Sequence, residues 1–223
     1  MQHDHEENTV DSIASSIRPF TVDDVPPSSF NLIIGKRRSG KSYLCEDLIK
    51  KMIHDKMLDV VLLFSGTDAG FEFIDKDCRF IDDVEPLRLL VENMKHLNEY
   101  NKIAPKKERI RLRVAVIIDD HAVKLKSAEF NILEALAVNG HHCAYEPLPL
   151  HVFVLCQSLT KTPRVVRMNC DMIFFNAIAS MRERDIIFDE NMYMVDSSVK
   201  SKRQARSLYD KRLCGEDFCL YAA

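Results

Sequence analysis

Asn31–Leu44, NLIIGKRRSGKSYL, sets an apolar run against a basic, glycine-flanked loop and then a helix-forming segment. Within it Gly35-Lys36-Arg37-Arg38-Ser39-Gly40-Lys41-Ser42 satisfies GxxxxGK[ST] without a mismatch, after the strand pattern NLII and before the helical pattern YLCEDLIKKM. Gly35 and Gly40 let the backbone curl so that successive N–H groups point inward, and the following helix N-terminus adds partial positive charge. Lys41 is placed to reach the β- and γ-phosphates of ATP, and the Ser42 hydroxyl to ligate Mg²⁺. Gly35 to Ser42, with Tyr43 beside them, are the expected nucleotide-binding residues. A chance match in a Gly- and Lys-containing loop would not be expected to have both the strand and the helix in place.

Outward from this loop, short apolar runs alternate with amphipathic stretches. FNLIIG is followed by the helical SYLCEDLIKKMIHDK, then DVVLLFSG, then the segment around VEPLRLLVENMKHLNEYN. RVAVIID, AEFNILEALAV, LHVFVLC and DMIFFN continue the series. Runs of β-branched and aliphatic residues between helical patterns are the sequence form of a parallel sheet covered on both faces. The expected fold is α/β: a P-loop NTPase with a mainly parallel central sheet and helices on both sides.

With 223 residues, 46% of them apolar and 29% charged, the chain fits one globular domain. Residues 1–28, polar and acidic and ending in VPPSS, read as a flexible arm. Residues 29–213 read as the ATPase domain and 214–223 as a short tail, with VDSSVKSKRQARSLYDKR a helix opened by a serine or aspartate cap. No apolar stretch approaches the roughly 18 to 20 residues of a membrane helix, and the first residues lack a basic start followed by an apolar block. A chain that is neither secreted nor membrane-spanning is expected. Seven scattered cysteines suggest reduced thiols. The net charge of −3 is not the basic excess of a nucleic-acid coat protein, so contact with DNA would fall to local basic segments.

Two further strand tips carry chemistry. Arg113-Val-Ala-Val-Ile-Ile-Asp119-Asp120 ends in paired carboxylates; the first suits the Mg²⁺ shell and the second a general base for the attacking water. A strand end followed by a helix cap would use the same residues. Leu150-His-Val-Phe-Val-Leu-Cys-Gln157 ends in an amide able to sense the γ-phosphate or orient water, although a glutamine there is often only a loop residue. No NKxD guanine-reading signature is present, which counts against a GTPase switch.

Taken in order, the P-loop, Asp119-Asp120, Asn139-Gly-His-His142, the Gln157 strand and Thr162-Pro-Arg-Val-Val-Arg167-Met-Asn169-Cys-Asp171 resemble the FtsK/HerA superfamily, in particular the poxvirus-type genome-packaging ATPases of nucleocytoplasmic large DNA viruses. The resemblance covers roughly residues 30 to 180. It implies additional-strand (ASCE) order, in which one strand separates the P-loop strand from the acid-tipped strand. It also implies a homo-oligomeric ring of roughly five or six subunits through which double-stranded DNA is driven into a capsid. Nucleotide would lie at a subunit boundary, with a neighbour's arginine stabilising the transition state. Arg167 and Arg164 are the first choices for that arginine, ahead of Arg182 and Arg184. Where relatives often carry Gly-Arg-His, this chain has Gly140-His141-His142. Capsid or portal-vertex proteins are the implied further partners, and the host cytoplasm, a viral factory or the virion the implied location.

Two basic clusters could neutralise DNA phosphates: Lys102, Lys106, Lys107, Arg109, Arg111 and Arg113, and Lys200, Lys202, Arg203 and Arg206. Solvated surface is the competing reading of each. His141, His142, Cys143, Cys156 and Cys170 lack CxxC or HxxxH spacing, so no metal other than Mg²⁺ is expected. The leading expectation is a Mg²⁺-dependent ATPase that translocates DNA. A nucleoside or small-molecule kinase, which would need an acceptor pocket and an arginine-bearing lid that RMNCDMIFFNAIASMRERD only superficially resembles, is the first alternative, and a P-loop module that uses ATP only to assemble is the second.

Overall fold

The computed structural model describes residues 20–67, 70–83, 85–119, 132–138, 149–176, 180–190, 201, 203–204, 207 and 220–222. Seven strands form one sheet: β1 (Ser29–Ile34), β2 (Val60–Ser65), β3 (Arg79–Ile81), β4 (Val114–Asp119), β5 (Leu150–Cys156), β6 (Met172–Phe175) and β7 (Leu220–Ala222). The helices are α1 (Lys41–His54), α2 (Glu85–Ile103), the five-residue α3 (Arg164–Met168) and α4 (Met181–Glu190), with residues 132–138 also helical.

The spatial order is β3-β2-β4-β5-β1-β6-β7, parallel throughout except for the antiparallel pairing of β7 on β6. β5 thus lies between the P-loop strand β1 and the acid-tipped strand β4, the additional-strand order expected. In register, Ile34 is opposite Cys156 and Asp119 opposite Leu155, so the chemistry-bearing ends of β1, β4 and β5 share one edge.

Both faces are apolar, which is why these strands read as continuous hydrophobic runs. Phe30, Leu32 and Ile34, with Val114, Val116, Ile118, Val152 and Val154, form one core with Leu87 and Met94 of α2, Leu133 and Leu136, and Ile187 and Phe188 of α4. The alternate residues Ile33, Ala115, Ile117, Phe153 and Leu155 face the other way, onto Cys45, Leu48, Ile49 and Met52 of α1. Each fully buried aliphatic or aromatic side chain contributes about 1.5–3 kcal/mol, so this two-faced burial holds the strand tips in fixed relation.

Three differences from the sequence reading stand out. Phe20 packs edge-on against Phe174 at 5.2 Å, and Val22 and Val25 are buried, so ordered packing begins ahead of β1. Thr21 and Asp24 form the capping box that turns the chain there. Leu220–Ala222 adds a strand where a tail was expected, and β3 is a short edge strand that no apolar run announced. Most of the expected C-terminal helix lies outside the described residues. No described helix is long and apolar enough to cross a membrane.

Candidate nucleotide site

At the end of β1 the Gly35 N–H donates to the Cys156 carbonyl at 3.1 Å, prolonging the pairing with β5 by one residue before the chain turns. The turn closes with Ser39 N–H on the Lys36 carbonyl at 3.3 Å, and left-handed backbone at Arg38 (φ 61°) and Gly40 (φ 89°) reverses the direction into α1. Gly40 is the N-cap of α1 and accepts from Leu44 N–H at 2.9 Å. Glycine tolerates that φ without strain, whereas arginine does not do so freely; the loop holds Arg38 there with its side chain in solvent.

Lys41 is buried and its Nζ donates to the Lys36 carbonyl at 3.1 Å, spanning the loop. The Ser42 hydroxyl donates to Asp119 Oδ2 at 3.3 Å, joining the first turn of α1 to the tip of β4. Ser39 Oγ is buried without a hydrogen-bond partner. A Cβ on Gly35 would come within 2.5 Å of both Ser39 Oγ and the Asn176 carbonyl oxygen. The arrangement therefore fits a phosphate chain: a tightly closed backbone loop at a helix N-terminus, a lysine whose carbonyl contact stands in for a phosphate oxygen, and an orphan hydroxyl. Ser42 and Asp119 present hard oxygen donors, the kind that Mg²⁺ takes.

Lys36, Arg37 and Arg38 are exposed on the loop, and Tyr43 is 79% exposed beside it. Gln157 is the first residue past β5 and is exposed at the same edge. Its neighbour Ser158 donates its hydroxyl to Glu183 of α4. Asp120 lies outside the described residues, as do 139–148. Beneath the loop, burial pushes the Cys156 thiol up to about 11 and the Cys45 thiol well above its usual value, with Asp119 adding to both shifts. Neither is a thiolate nucleophile at neutral pH.

Arg167, the first choice for an arginine acting on a neighbour's nucleotide, is tied within the chain. Its Nε and Nη2 donate to the two Glu190 carboxylate oxygens, each at 2.9 Å, and Nη1 donates to the Leu159 and Thr162 carbonyls at 3.2 and 2.6 Å. Such a bidentate, largely buried fork fixes the guanidinium within its own subunit. Arg164 and Arg182 are exposed and Arg184 is half-buried. A further contributor that the motifs did not suggest is Asn176, at the tip of β6. Its N–H donates to the Ile34 carbonyl at 2.7 Å, and its side-chain amide donates to the Ser39 carbonyl inside the loop.

The first basic cluster lies at the opposite end of β4 from Asp119, six residues of strand away, or about 20 Å at ~3.3 Å per residue. Buried Asn101 clamps this loop, donating to the Ile110 carbonyl and accepting from Ile110 N–H, each at 2.9 Å. Lys102, Lys106, Lys107, Arg109 and Arg111 are exposed, whereas Arg113 pairs with Asp59 at 2.5 Å. Of the second cluster only Arg203 lies among the described residues.

No known family profile matches the sequence, and no curated protein matches it. Solved structures do share its fold. One is the genome packaging NTPase B204 from Sulfolobus turreted icosahedral virus 2 in complex with AMPPCP, at 17% identity and a TM-score of 0.51, covering 82% of this chain and 88% of that one. Another is EssC (ATPases 2 and 3) from Geobacillus thermodenitrificans, at 12% identity and 0.54, covering 82% and 44%. A third is the pCW3 conjugation coupling protein TcpA, solved with ATPγS, at 15% identity and 0.52, covering 73% and 52%. This chain thus spans about half or less of the latter two. At these identities the likeness is one of fold, shared with a genome packaging NTPase and with the ATPases of EssC.

Proposed function

We propose that this chain is a Mg²⁺-dependent ATPase that drives double-stranded DNA into a viral capsid. The observation that carries the reading is the Ser42–Asp119 hydrogen bond: across the additional-strand order it joins the phosphate-loop helix to the tip of the neighbouring acidic strand. That is the constellation a metal–triphosphate needs. Mg²⁺ held by Ser42 and Asp119 would neutralise charge on the phosphates. Lys41 leaves the Lys36 carbonyl for the β- and γ-phosphate oxygens, while Asp120 and Gln157 orient the attacking water for in-line displacement.

Completion of the site by a neighbour's arginine is what the resemblance implies. With Arg167 committed to Glu190, exposed Arg164 and Arg182 are the better choices for that contribution. The packaging role draws on the shared fold with a genome packaging NTPase. The clamped basic loop of Lys102 to Arg111 supplies a surface for the DNA backbone, because it carries five exposed cations and a single acid, Glu108. A ring of this chain acting at a capsid vertex, in host cytoplasm or viral factory, is the setting we propose.

Phosphate release measured with Mg²⁺ and ATP, with and without duplex DNA, tests the reading against Lys41→Ala and Asp120→Asn. Turnover that rises with DNA and with protein concentration, and is lost in both variants, is expected. Phosphate transfer to a nucleoside acceptor without DNA stimulation would replace the motor with a kinase.

A further inference from the structure

We infer that Asn176 is a positioning residue of the phosphate loop, clasping it into its anion-binding curvature before nucleotide arrives. The inference rests on the reading of the loop as a nucleotide site and deepens it. Asn176 touches the loop at both ends, once through its main chain and once through its side chain. At the entry, its N–H donates to the Ile34 carbonyl at 2.7 Å and its own carbonyl oxygen lies 2.5 Å from the position of a Cβ on Gly35. At the exit, its side-chain Nδ2 donates to the Ser39 carbonyl and lies 3.5 Å from the position of a Cβ on Gly40. The β1–β6 pairing, with Ile34 opposite Phe175, places the residue there.

The chemistry of the clasp is one of sign. An anion cradle works only if its N–H groups point inward, and a carbonyl turned inward would repel phosphate. The Asn176 amide is a donor, so it holds the Ser39 carbonyl toward β6 and satisfies it there, leaving the loop N–H groups to the phosphates. A loop curved in advance binds more tightly because its ordering is not deducted from the binding free energy. The same segment of chain leads to α4, whose Glu183 accepts from Ser158 next to Gln157. One element therefore follows the loop clasp and braces the tip of β5.

The test compares wild type with Asn176→Ala and with Asn176→Asp, which keeps the shape but replaces the donor with an acceptor. Titration with a fluorescent ATP analogue and Mg²⁺, steady-state phosphate release, and thermal melting without nucleotide are read together. Loss of one buried hydrogen bond predicts nucleotide affinity weakened, and KM raised, about tenfold in the alanine variant. The aspartate variant should lose more, and kcat at saturating ATP should stay within about twofold of wild type in both, since pre-organisation affects binding. Unchanged affinity and KM in both variants would overturn the inference. So would a fall in kcat that merely tracks the folded fraction while KM holds, the outcome expected of a purely structural strand end. If the alanine variant does not fold, the isosteric aspartate variant decides by the same criteria. Wild-type protein that binds no nucleotide would overturn the ATPase reading itself, a result distinct from any difference among the variants.

Discussion

Ser42 Oγ and Asp119 Oδ2 lie 3.3 Å apart although 77 positions separate them in the chain. The pair exists because β5 spaces β1 from β4 by one strand, so that α1 begins beside the end of β4. If both oxygens serve a metal, Ser42→Ala and Asp119→Asn should each lower kcat by about a hundredfold or more, the scale for losing a group that stabilises transition-state charge. Titrating Mg²⁺ at fixed ATP checks the assignment: the variants should need more Mg²⁺ for half-maximal rate, and chelation should abolish wild-type turnover.

A methyl group at Gly35 meets the Asn176 carbonyl and Ser39 Oγ, each at 2.5 Å. Backbone cannot yield as a flexible side chain does, so Gly35→Ala should destabilise the fold by about 1–3 kcal/mol. It should also weaken ATP binding, as thermal melting and nucleotide titration would report.

Arg167 and Glu190 are largely buried together, at 10% and 18% side-chain exposure. Removing one partner strands the other, so Arg167→Ala should cost about 3–5 kcal/mol of stability. Arg164→Ala, at an exposed position, should leave stability within about 0.5 kcal/mol. If Arg164 acts on a neighbour's nucleotide, its loss should instead lower turnover, and mixing these subunits with Lys41→Ala subunits should restore part of it.

His151 is buried at the start of β5, with Nδ1 3.0 Å from Ser29 Oγ, and burial lowers its pKa to about 4. The unfolded chain therefore takes up the proton first, near the ordinary value of 6.5. Stability should be full above that value and fall as pH drops from it toward 4, by on the order of 2–3 kcal/mol over the whole interval. Denaturant melts at several pH values should show that slope, and His151→Leu should flatten it.

The clamped basic loop gives a salt-dependent prediction. Lys106→Ala, Lys107→Ala and Arg111→Ala together should weaken duplex binding and reduce the slope of log affinity against log salt by about 2.7, if each contacts one phosphate. Basal phosphate release without DNA should be unchanged, because the loop lies at the far end of β4 from Asp119. Fluorescence anisotropy over a salt series makes the measurement.

What the sequence made legible was local or periodic. The phosphate loop announces itself because its glycines, lysine and serine act within eight consecutive residues, and the core strands because both of their faces are buried. β3 and β7, three residues each, are held by pairing to a neighbour rather than by an apolar run, so periodicity could not find them. Phe20 reads as the end of a polar arm until Phe174 supplies its contact. Arg167 looks like a free cation in sequence, since Glu190, 23 residues on, becomes its partner only when α4 folds back. Asn176 was discoverable by the argument applied to Gln157, a polar residue at a strand tip, but its grip on Ser39 depends on which strand neighbours β1.

Displacement of a triplex-forming oligonucleotide from a DNA duplex, followed with Mg²⁺ and ATP, tests the motor most directly. The account predicts ATP-dependent displacement by wild type at concentrations that support assembly, and none with Lys41→Ala or with a non-hydrolysable ATP analogue. Vigorous ATP hydrolysis on that duplex with the third strand left in place would contradict translocation.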